Sequence, residues 1–351
     1  MGISYDKLPR NIYSGAYKAG HCQGIAVDTE HGYVYYSFTT MLVKTDMCGN
    51  FIGSAVGLCG HLGCISFNSA DGRVYGSLEY KNDSIGRGII GMLGGGIEIP
   101  DAFYIAIFDV DLIDRADMPA SSVMKAAFLR EVTDDYLAKV TLADGRTVEH
   151  RLGCSGIDGC AIGPDFGTAV DSERYLFVAY GVYFDETRDD NDYQVILKYD
   201  LDELNRTSEE LSQQSMHRSG PAAPLAKYYA YTGNTEFGVQ NLEYDPSSEK
   251  YYMAVYPGRK AQFKNPPMFA ADATVAPKHE LLRGVYPETY GDVLTLDEHG
   301  TDGIGFRHGD TGIASIGDGY FYVSHHGRND DGQLTNVQLY TLTNGSFELL
   351  P

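Results

Sequence analysis

The 351-residue chain contains no tryptophan, and several other features that would assign it to a class are missing too. No run of 18 apolar residues occurs, which excludes a membrane-spanning helix. The first seven residues lack the apolar core of a secretory signal, so we expect a cytoplasmic protein unless a leader has been removed. Basic residues are few, 27 against 48 acidic ones, and the net charge of −21 disfavours general binding to nucleic acid or to an anionic membrane.

Cysteine is also used sparingly, and none of the six cysteines forms a CxxC pair, which excludes a zinc ribbon. All six lie in the first half of the chain, at Cys22, Cys48, Cys59, Cys64, Cys154 and Cys160. Buried, reduced thiols fit a cytosolic protein. In an exported protein, Cys59–Cys64 or Cys154–Cys160 would be candidate disulfides.

Glycine and tyrosine are abundant, with 41 and 27 residues, which suits many strands joined by tight turns. One pattern recurs five times: an apolar strand, a turn that is often Asp-Gly, and an aromatic strand. The apolar strands begin at Gln23, Gly63, Gly159, Gln240 and Gly312, and the aromatic strands begin at Tyr33, Arg73, Tyr175, Tyr251 and Tyr320. Each pair is followed by a third strand candidate, at Leu42–Asp46, Tyr104–Asp109, Val195–Asp200, Val293–Asp297 and Val337–Leu342.

Fourth strands complete four of the repeats but not the last one. The candidates are Phe51–Leu58, Phe128–Val132, Lys227–Tyr231 and Gly303–Arg307, and the unassigned strand Asn11–Tyr17 precedes the first repeat. This arrangement resembles the β-propeller superfamily, and by count its five-bladed members, in which a strand from the other terminus closes the ring. The resemblance implies an all-β fold over residues 1–351, with blades at about 22–58, 62–132, 156–232, 238–307 and 311–345 plus 11–17. A β-sandwich or two separate β domains is the competing interpretation.

The repeats differ in length, so the longer ones must contain insertions, which we place at 82–100, 133–152 and 258–291. The Gly-rich segment 82–100 is interpreted as a loop or flap. We expect a helix around Ala120–Ala127 and another within Leu201–Gln214, and an extra hairpin turning at Asp144-Gly145.

Propeller geometry places the segments before the first strands and after the second strands on one face of the ring. Five of the ten histidines lie in these segments, together with most of the long insertions. We therefore expect the functional site on this face, because function usually resides on loops held by a rigid scaffold.

The histidines in these segments suggest a metal site at the mouth of the channel. The candidate ligands are His21, His61, His308 and His325, for a divalent ion such as Mn, Zn or Ca, and no organic cofactor is expected. Hydrogen bonding in turns is the competing role for each histidine. The acidic run from Asp185 to Asp192 is interpreted first as a solvated loop, with Ca²⁺ binding as the alternative.

Carboxylates from different blades suggest a second chemistry, since glycosidases work with a pair of them. Candidate catalytic residues are Glu79, Asp158, Glu236 and Tyr183, and candidate substrate-binding residues are Lys81, Gln23, Gln240, Tyr256, Arg307 and Arg328. Structural carboxylates that accept backbone N–H bonds are the alternative. Some five-bladed propellers are glycosidases, so the resemblance implies a carbohydrate-active hydrolase or lyase acting on a small, possibly anionic saccharide. The rival hypothesis is a non-catalytic propeller that binds a ligand or a protein.

Overall fold

The computed structural model describes residues 7–96, 100–213 and 215–351, and within these ranges it is built mainly from β-strands. The strands are β1 (Asn11–Tyr17), β2 (Cys22–Asp28), β3 (Tyr33–Phe38), β4 (Met41–Asp46), β5 (Phe51–Val56), β6 (His61–Asn68), β7 (Arg73–Tyr80), β8 (Ala102–Asp109), β9 (Met118–Pro119), β10 (Met124–Phe128), β11 (Lys139–Thr141), β12 (Thr147–Glu149), β13 (Cys154–Pro164), β14 (Arg174–Val182), β15 (Tyr193–Tyr199), β16 (Ala226–Tyr231), β17 (Glu236–Asp245), β18 (Lys250–Tyr256), β19 (Met268–Asp272), β20 (Lys278–Leu281), β21 (Tyr290–Val293), β22 (Ile313–Gly317), β23 (Tyr320–Asn329), β24 (Gly332–Thr343) and β25 (Ser346–Leu349). The α-helices are α1 (Ser84–Met92), α2 (Arg130–Leu137) and α3 (Leu201–Thr207).

Five of the sheets form a five-bladed β-propeller, which confirms the fold expected from the repeats. From the centre outward, the strand orders are β2-β3-β4-β5-β9, β6-β7-β8-β10, β13-β14-β15-β16-β21-β20, β17-β18-β19 and β22-β23-β24-β1. The innermost strands β2, β6, β13, β17 and β22 contact one another around the ring. We call the end of the channel where these strands begin the upper mouth, and the end where they finish the lower mouth.

Strand β1 closes the ring, as the unpaired last repeat predicts. It pairs antiparallel with β24, from Asn11 opposite Gln338 to Tyr17 opposite Gln333. The Ile12 side chain is fully buried in the apolar cluster between the first and last blades. The two ends of the chain are thereby held in one sheet, and the last blade gains its outer strand.

The middle strands are apolar on both faces because each blade packs between two neighbours. In β8, Phe103, Ile105 and Ile107 face the cluster shared with the third blade. The alternate residues Tyr104, Ala106 and Phe108 face the cluster shared with the first blade. The period-2 alternation of a strand therefore fills both gaps between blades with side chains from a single strand.

Several local predictions are wrong, and most concern the fourth blade. Its third strand is Met268–Asp272, inside the insertion 258–291, and not Val293–Asp297. Val293 instead ends β21, which runs parallel to β16 in the third blade. The expected fourth strand, Gly303–Arg307, contributes one isolated bridge, between Ile304 and Met268.

Two further segments also differ from expectation. The Gly-rich segment 82–100 contains α1, whose N-terminus is capped by the Asp83 carboxylate, while residues 97–99 lie outside the described ranges. The segment around Ala120–Ala127 forms a short 3₁₀ turn and β10 instead of a helix. The hairpin turning at Asp144-Gly145 is present as β11 and β12, and α3 occupies the start of Leu201–Gln214, whose last residue is outside the described part.

A buried amide side chain of β17 joins segments of three blades. The fully buried Asn241 donates from Nδ2 to the carbonyl oxygens of Gln23, at 2.8 Å, and Asp310, at 3.0 Å. These bonds tie the fourth blade to the first and to the segment that leads into the fifth. In the described ranges, none of the helices is both long and apolar enough to cross a membrane.

Candidate active site

Four ionisable side chains from the second and third blades meet at the upper mouth. His61 begins β6 and lies directly opposite Glu79 of β7. Lys81 follows β7 two residues after Glu79, and Asp158 lies within β13. His61 Nδ1 is 3.4 Å from Asp158 Oδ1 and 3.6 Å from Glu79 Oε1. We call these four residues the mouth cluster.

Glu79 lies at the base of the mouth cluster, with its side chain only 2% exposed. Its Oε1 is ion-paired with the Lys81 ammonium, and its Oε2 accepts the backbone N–H of Ile157 at 3.1 Å. Gly156 makes this approach possible, since a Cβ there would lie 2.1 Å from Glu79 Oε2 and its φ is +124°. Glu79 is thus held rigidly and screened from the channel.

Lys81 is 4% exposed and is fully engaged by protein groups. Besides Glu79, it donates to the carbonyl oxygen of Ser155 at 3.0 Å and lies 3.9 Å from Asp83 Oδ2. Burial disfavours the ammonium charge, but the carboxylates of Glu79, Asp158 and Asp83 outweigh burial and raise the pKa of Lys81. Lys81 therefore carries a permanent positive charge beneath the upper mouth.

Asp158 is the carboxyl of the mouth cluster that faces the channel, with 13% of its side chain exposed. Its Oδ2 accepts from Gln240 Nε2 at 3.3 Å. Burial, followed by the charge of Glu79, holds the pKa of Asp158 well above its ordinary value. Burial also raises the pKa of Glu79, although Lys81 opposes this effect.

His61 is neutral in this setting, because burial and the charges of Lys81 and His21 lower its pKa to about 3. Its Nδ1 is buried and has no hydrogen-bond partner among the described residues. The atom lies between the two carboxyl groups, slightly beyond hydrogen-bonding distance from either one. After a small movement it can accept a hydrogen bond from the protonated Asp158 carboxyl.

A second group of ionisable residues lies across the upper mouth, around Asp310 in the segment before β22. The pKa of Asp310 is raised, because burial outweighs the opposing effects of His326, His308 and His21. Both Asp310 and Asp158 act with burial to raise the pKa of the Tyr256 hydroxyl. Tyr256, Arg307, His308 and Asp310 line a cavity of about 420 Å³.

The amide side chains predicted to bind substrate lie between these two groups. Gln23 Nε2 is 3.0 Å from His21 Nε2 and 3.3 Å from Thr39 Oγ1. Gln240 contacts Asp158 and also donates to the carbonyl oxygen of Phe237 at 2.9 Å. Both glutamines are buried at the channel wall.

Other predicted site residues lie apart from the mouth cluster. Glu236 pairs with the exposed Arg259 at 2.7 Å, and Arg328 is exposed near the end of β23. The Tyr183 hydroxyl donates to Asp83 at 3.0 Å, so it reaches the mouth cluster only through that residue. His325 Nε2 lies 2.9 Å from the Tyr340 hydroxyl, and its ring packs at 4.2 Å on that of His308.

The four histidines predicted as metal ligands do not form one ligand set in the described ranges. His61 instead lies with Glu79 and Asp158, and the three donor atoms are within 4.8 Å of one another. This donor set suits a divalent ion. The Lys81 ammonium, however, already neutralises Glu79 and would repel a second cation. Metal binding stays a prediction.

Asp310 and Asp83 are the residues that sequence reasoning missed. Asp310 stands two residues before Gly312, just as His61 stands two residues before Gly63, so aligning these two repeats at their glycines would have identified it. Asp83 follows Glu79 and Lys81 in alternation, but the chain turns into α1 at this point and the alternation ends.

No family model matches the chain, and no curated protein matches it either. Solved structures do align with most of its length. They include the soluble aldose sugar dehydrogenase of Escherichia coli, at 12% identity over 93% of this chain and 98% of that one, with a TM-score of 0.38. The PQQ domain of pyranose dehydrogenase from Coprinopsis cinerea aligns at 13% identity over 90% and 81% of the two chains, with a TM-score of 0.34.

A GH43 β-1,3-galactosidase with galactodeoxynojirimycin aligns at 10% identity over 96% of this chain and 97% of that one, with a TM-score of 0.42. Likenesses at these values carry no argument about chemistry.

Proposed function

We propose that the protein is a carbohydrate-active hydrolase that cleaves a glycosidic bond at the upper mouth, with Asp158 as the proton donor. One observation carries the proposal. Asp158 is a carboxyl group that faces the channel, and its surroundings favour the protonated form. A glycosidic oxygen needs a proton as it leaves, and a carboxylic acid that stays protonated near neutral pH can supply it.

The mouth cluster gives each of its other members a supporting role. Glu79 and Lys81 are too buried to contact a sugar, so we assign them to positioning and electrostatics. The Glu79 carboxylate raises the pKa of Asp158, and Lys81 keeps Glu79 ionised. The neutral His61 imidazole would orient the Asp158 carboxyl by accepting a hydrogen bond from it.

A second carboxylate is needed to attack the anomeric carbon or to activate water. Asp310 is the best candidate, because it lies in the same upper mouth and is surrounded by His21, His308 and His326. These imidazoles oppose burial, which on balance still raises the pKa of Asp310. The pKa of Asp158 is raised well above its ordinary value, so the proposal assigns the protonated form to Asp158 and the ionised form to Asp310.

The lining between the two carboxyl groups suits a hydroxyl-rich ligand. Gln23 and Gln240 supply amide donors and acceptors, and Tyr256 supplies an aromatic ring next to Asp310. Because Lys81 is already engaged, an anionic group on the sugar would be met by Arg307, which is exposed at the rim of the same cavity.

The test is a panel of neutral and anionic aryl glycosides and oligosaccharides, scored by reducing ends and by absorbance of unsaturated products. Asp158→Asn should lower kcat/KM at least about 10²-fold on substrates with poor leaving groups. The loss should be much smaller with 2,4-dinitrophenyl glycosides, whose leaving group needs no proton. Asp171→Asn, at an exposed carboxylate of the β13–β14 loop, is the matched control and should behave as the unaltered protein.

Each other outcome points away from the hydrolase. Unsaturated products would indicate a lyase. Tight binding of one saccharide without turnover would favour the non-catalytic alternative. An equal loss in Asp158→Asn on both kinds of leaving group would remove Asp158 as the proton donor.

A further inference from the structure

The sheet of the third blade ends at the rim of the ring in a strand with one open edge. This strand, β20, is the outermost of its sheet, and among the strands of the described ranges it pairs only with β21. All four of its residues, Lys278–Leu281, are exposed. An edge of this kind presents backbone N–H and C=O groups with which another strand can pair. It is therefore a possible interaction surface, apart from both mouths of the channel.

The hydrogen-bond pattern between β20 and β21 determines which backbone groups point outward. Just beyond β20, the Leu282 N–H donates to the Thr289 carbonyl oxygen at 2.8 Å. Hydrogen-bonded and non-bonded pairs alternate along an antiparallel ladder, so every second residue of β20 bonds to β21. The N–H and C=O groups of His279 and Leu281 consequently point away from the blade. A partner strand must align its own outward groups with these two residues.

A second copy of the chain meets this requirement in an antiparallel arrangement. A twofold axis through Glu280 would place the two Glu280 carboxylates directly opposite each other, which is unfavourable. An axis through His279 instead places Lys278 of each copy opposite Glu280 of the other, and opposite charges in this position stabilise a strand pair. The order of charges in β20 is thus self-complementary in the register that also matches the backbone groups.

The other face of β20 adds apolar contact in the same register. Leu281 is 42% exposed and lies opposite Tyr290 of β21, which is 59% exposed. Because Leu281 and Pro277 are each two residues from the axis, Leu281 of one copy would lie opposite Pro277 of the other. The His279 ring stacks on Tyr290 at 5.9 Å, and its Nδ1 lies 2.8 Å from the Asp292 carboxylate, so a local anion accompanies each histidine at the axis.

Other outer strands of the described ranges lack this combination. Strand β1 has no charged residue, and β25 has a single glutamate, so neither can form a lysine–glutamate pair with itself. Strands β10 and β19 are bridged on their outer sides by later segments, at Glu209 and Ile304. The self-complementary charges are therefore specific to β20.

We infer that β20 is a homodimerisation edge, at which two copies of the chain pair antiparallel about a twofold axis at His279. The sheets of the two third blades then form one continuous sheet, and each copy uses the same surface, as in most soluble dimers. Two short strands bury less than the roughly 1,200 Å² of a standard stable interface, so the dimer should be transient. No residue of the mouth cluster takes part, so the inference is independent of the proposed hydrolase.

The test is sedimentation equilibrium of the full chain at about 10 to 500 µM, in about 150 mM NaCl so that general repulsion between acidic copies is screened. A reversible monomer–dimer equilibrium is expected. Lys278→Glu places two carboxylates opposite each other at both ends of the strand pair, and it should lower the association constant at least tenfold. Lys125→Glu makes the same change of net charge at an exposed lysine of β10, and it should alter the constant less than threefold.

A charge exchange within β20 makes the test decisive. The double variant Lys278→Glu/Glu280→Lys restores the opposite pairs, and its association constant should be within threefold of that of the unaltered protein. The two single variants Lys278→Glu and Glu280→Lys, when mixed, should form a heterodimer, because every charge then faces its opposite. A chain that is monomeric at every concentration would overturn the inference. So would equal losses in Lys278→Glu and Lys125→Glu, unchanged association of Lys278→Glu, or a double variant that stays monomeric.

Discussion

Replacing Lys81 by methionine should destabilise the protein by an amount that depends on pH. The Lys81→Met variant leaves the buried Glu79 carboxylate without its cation and the Ser155 carbonyl without its donor. Removing one partner of a buried ion pair costs about 3–5 kcal/mol. The unpaired carbonyl adds about 1 kcal/mol.

Protonation limits how much the unpaired Glu79 carboxylate destabilises the folded variant. Protonating Glu79 in the folded variant costs about 1.4 kcal/mol for each pH unit above its unfolded pKa of about 4.3. Glu79 therefore contributes at most about 3.7 kcal/mol to the loss of stability at pH 7. Because burial raises the folded pKa of Glu79, the folded state of the variant binds more protons than the unfolded state. The variant should therefore lose stability as pH rises from the unfolded pKa towards the folded one.

The expected deficits relative to the unaltered protein are about 4–5 kcal/mol at pH 7 and about 2 kcal/mol at pH 5. They can be measured by urea unfolding followed by circular dichroism and tyrosine fluorescence, since the chain has no tryptophan. The double variant Lys81→Met/Glu79→Gln removes the charge as well, so its deficit should be the same at both pH values. A single variant with equal deficits at pH 5 and pH 7, or a double variant that keeps the pH dependence, would refute the electrostatic account of this pair.

Three further predictions concern ring closure, the glycine beside Glu79 and the second carboxylate. Deleting residues 1–17 removes β1 and exposes the edge of β24, so calorimetry should show a much lower melting temperature and light scattering should show aggregation; a normal melting curve would contradict ring closure. Gly156→Ala should displace Glu79 and lower the free energy of unfolding by about 3 kcal/mol or more in the same urea assay. The control Gly145→Ala is also at positive φ but has nothing within 4 Å of the new Cβ, and it should lower the free energy of unfolding by about 1 kcal/mol. Equal losses would show that φ alone is responsible. Asp310→Asn should lower kcat at least about 10²-fold without changing the melting temperature by more than a few degrees, and full activity would exclude Asp310 as the second carboxylate.

The sequence predicts the architecture because propeller blades are local. Each strand pairs mainly with its neighbour in the chain. The alternation of apolar and aromatic strands and the Asp-Gly turns between them therefore predict most of the strand order. The exceptions are non-local pairings. The composition of Val293–Asp297 predicts the third strand of the fourth blade, but Val293 belongs to β21, which pairs with β16 of the third blade. The third strand of the fourth blade is β19, which pairs with β18.

The candidate site is only partly readable from the sequence, for a similar reason. The spacing of Glu79 and Lys81 places both side chains on one side of an extended strand, and in the structure they are ion-paired. The burial of that ion pair depends on how closely the third blade approaches at Gly156. No local sequence pattern predicts this approach. Solvent access therefore distinguishes Asp158 from Glu79, although the sequence alone predicts the two carboxylates equally.

The central claim is that Asp158 stays protonated at the upper mouth near neutral pH. Infrared difference spectroscopy of the unaltered protein against Asp158→Asn tests it directly and needs no substrate. At pH 6 the unaltered protein should show the carbonyl stretch of a protonated carboxyl group that is missing from Asp158→Asn, and this band should fade only at higher pH. A carboxylate band in its place at pH 6 would show that Asp158 is ionised, and it would contradict the role of Asp158 as proton donor.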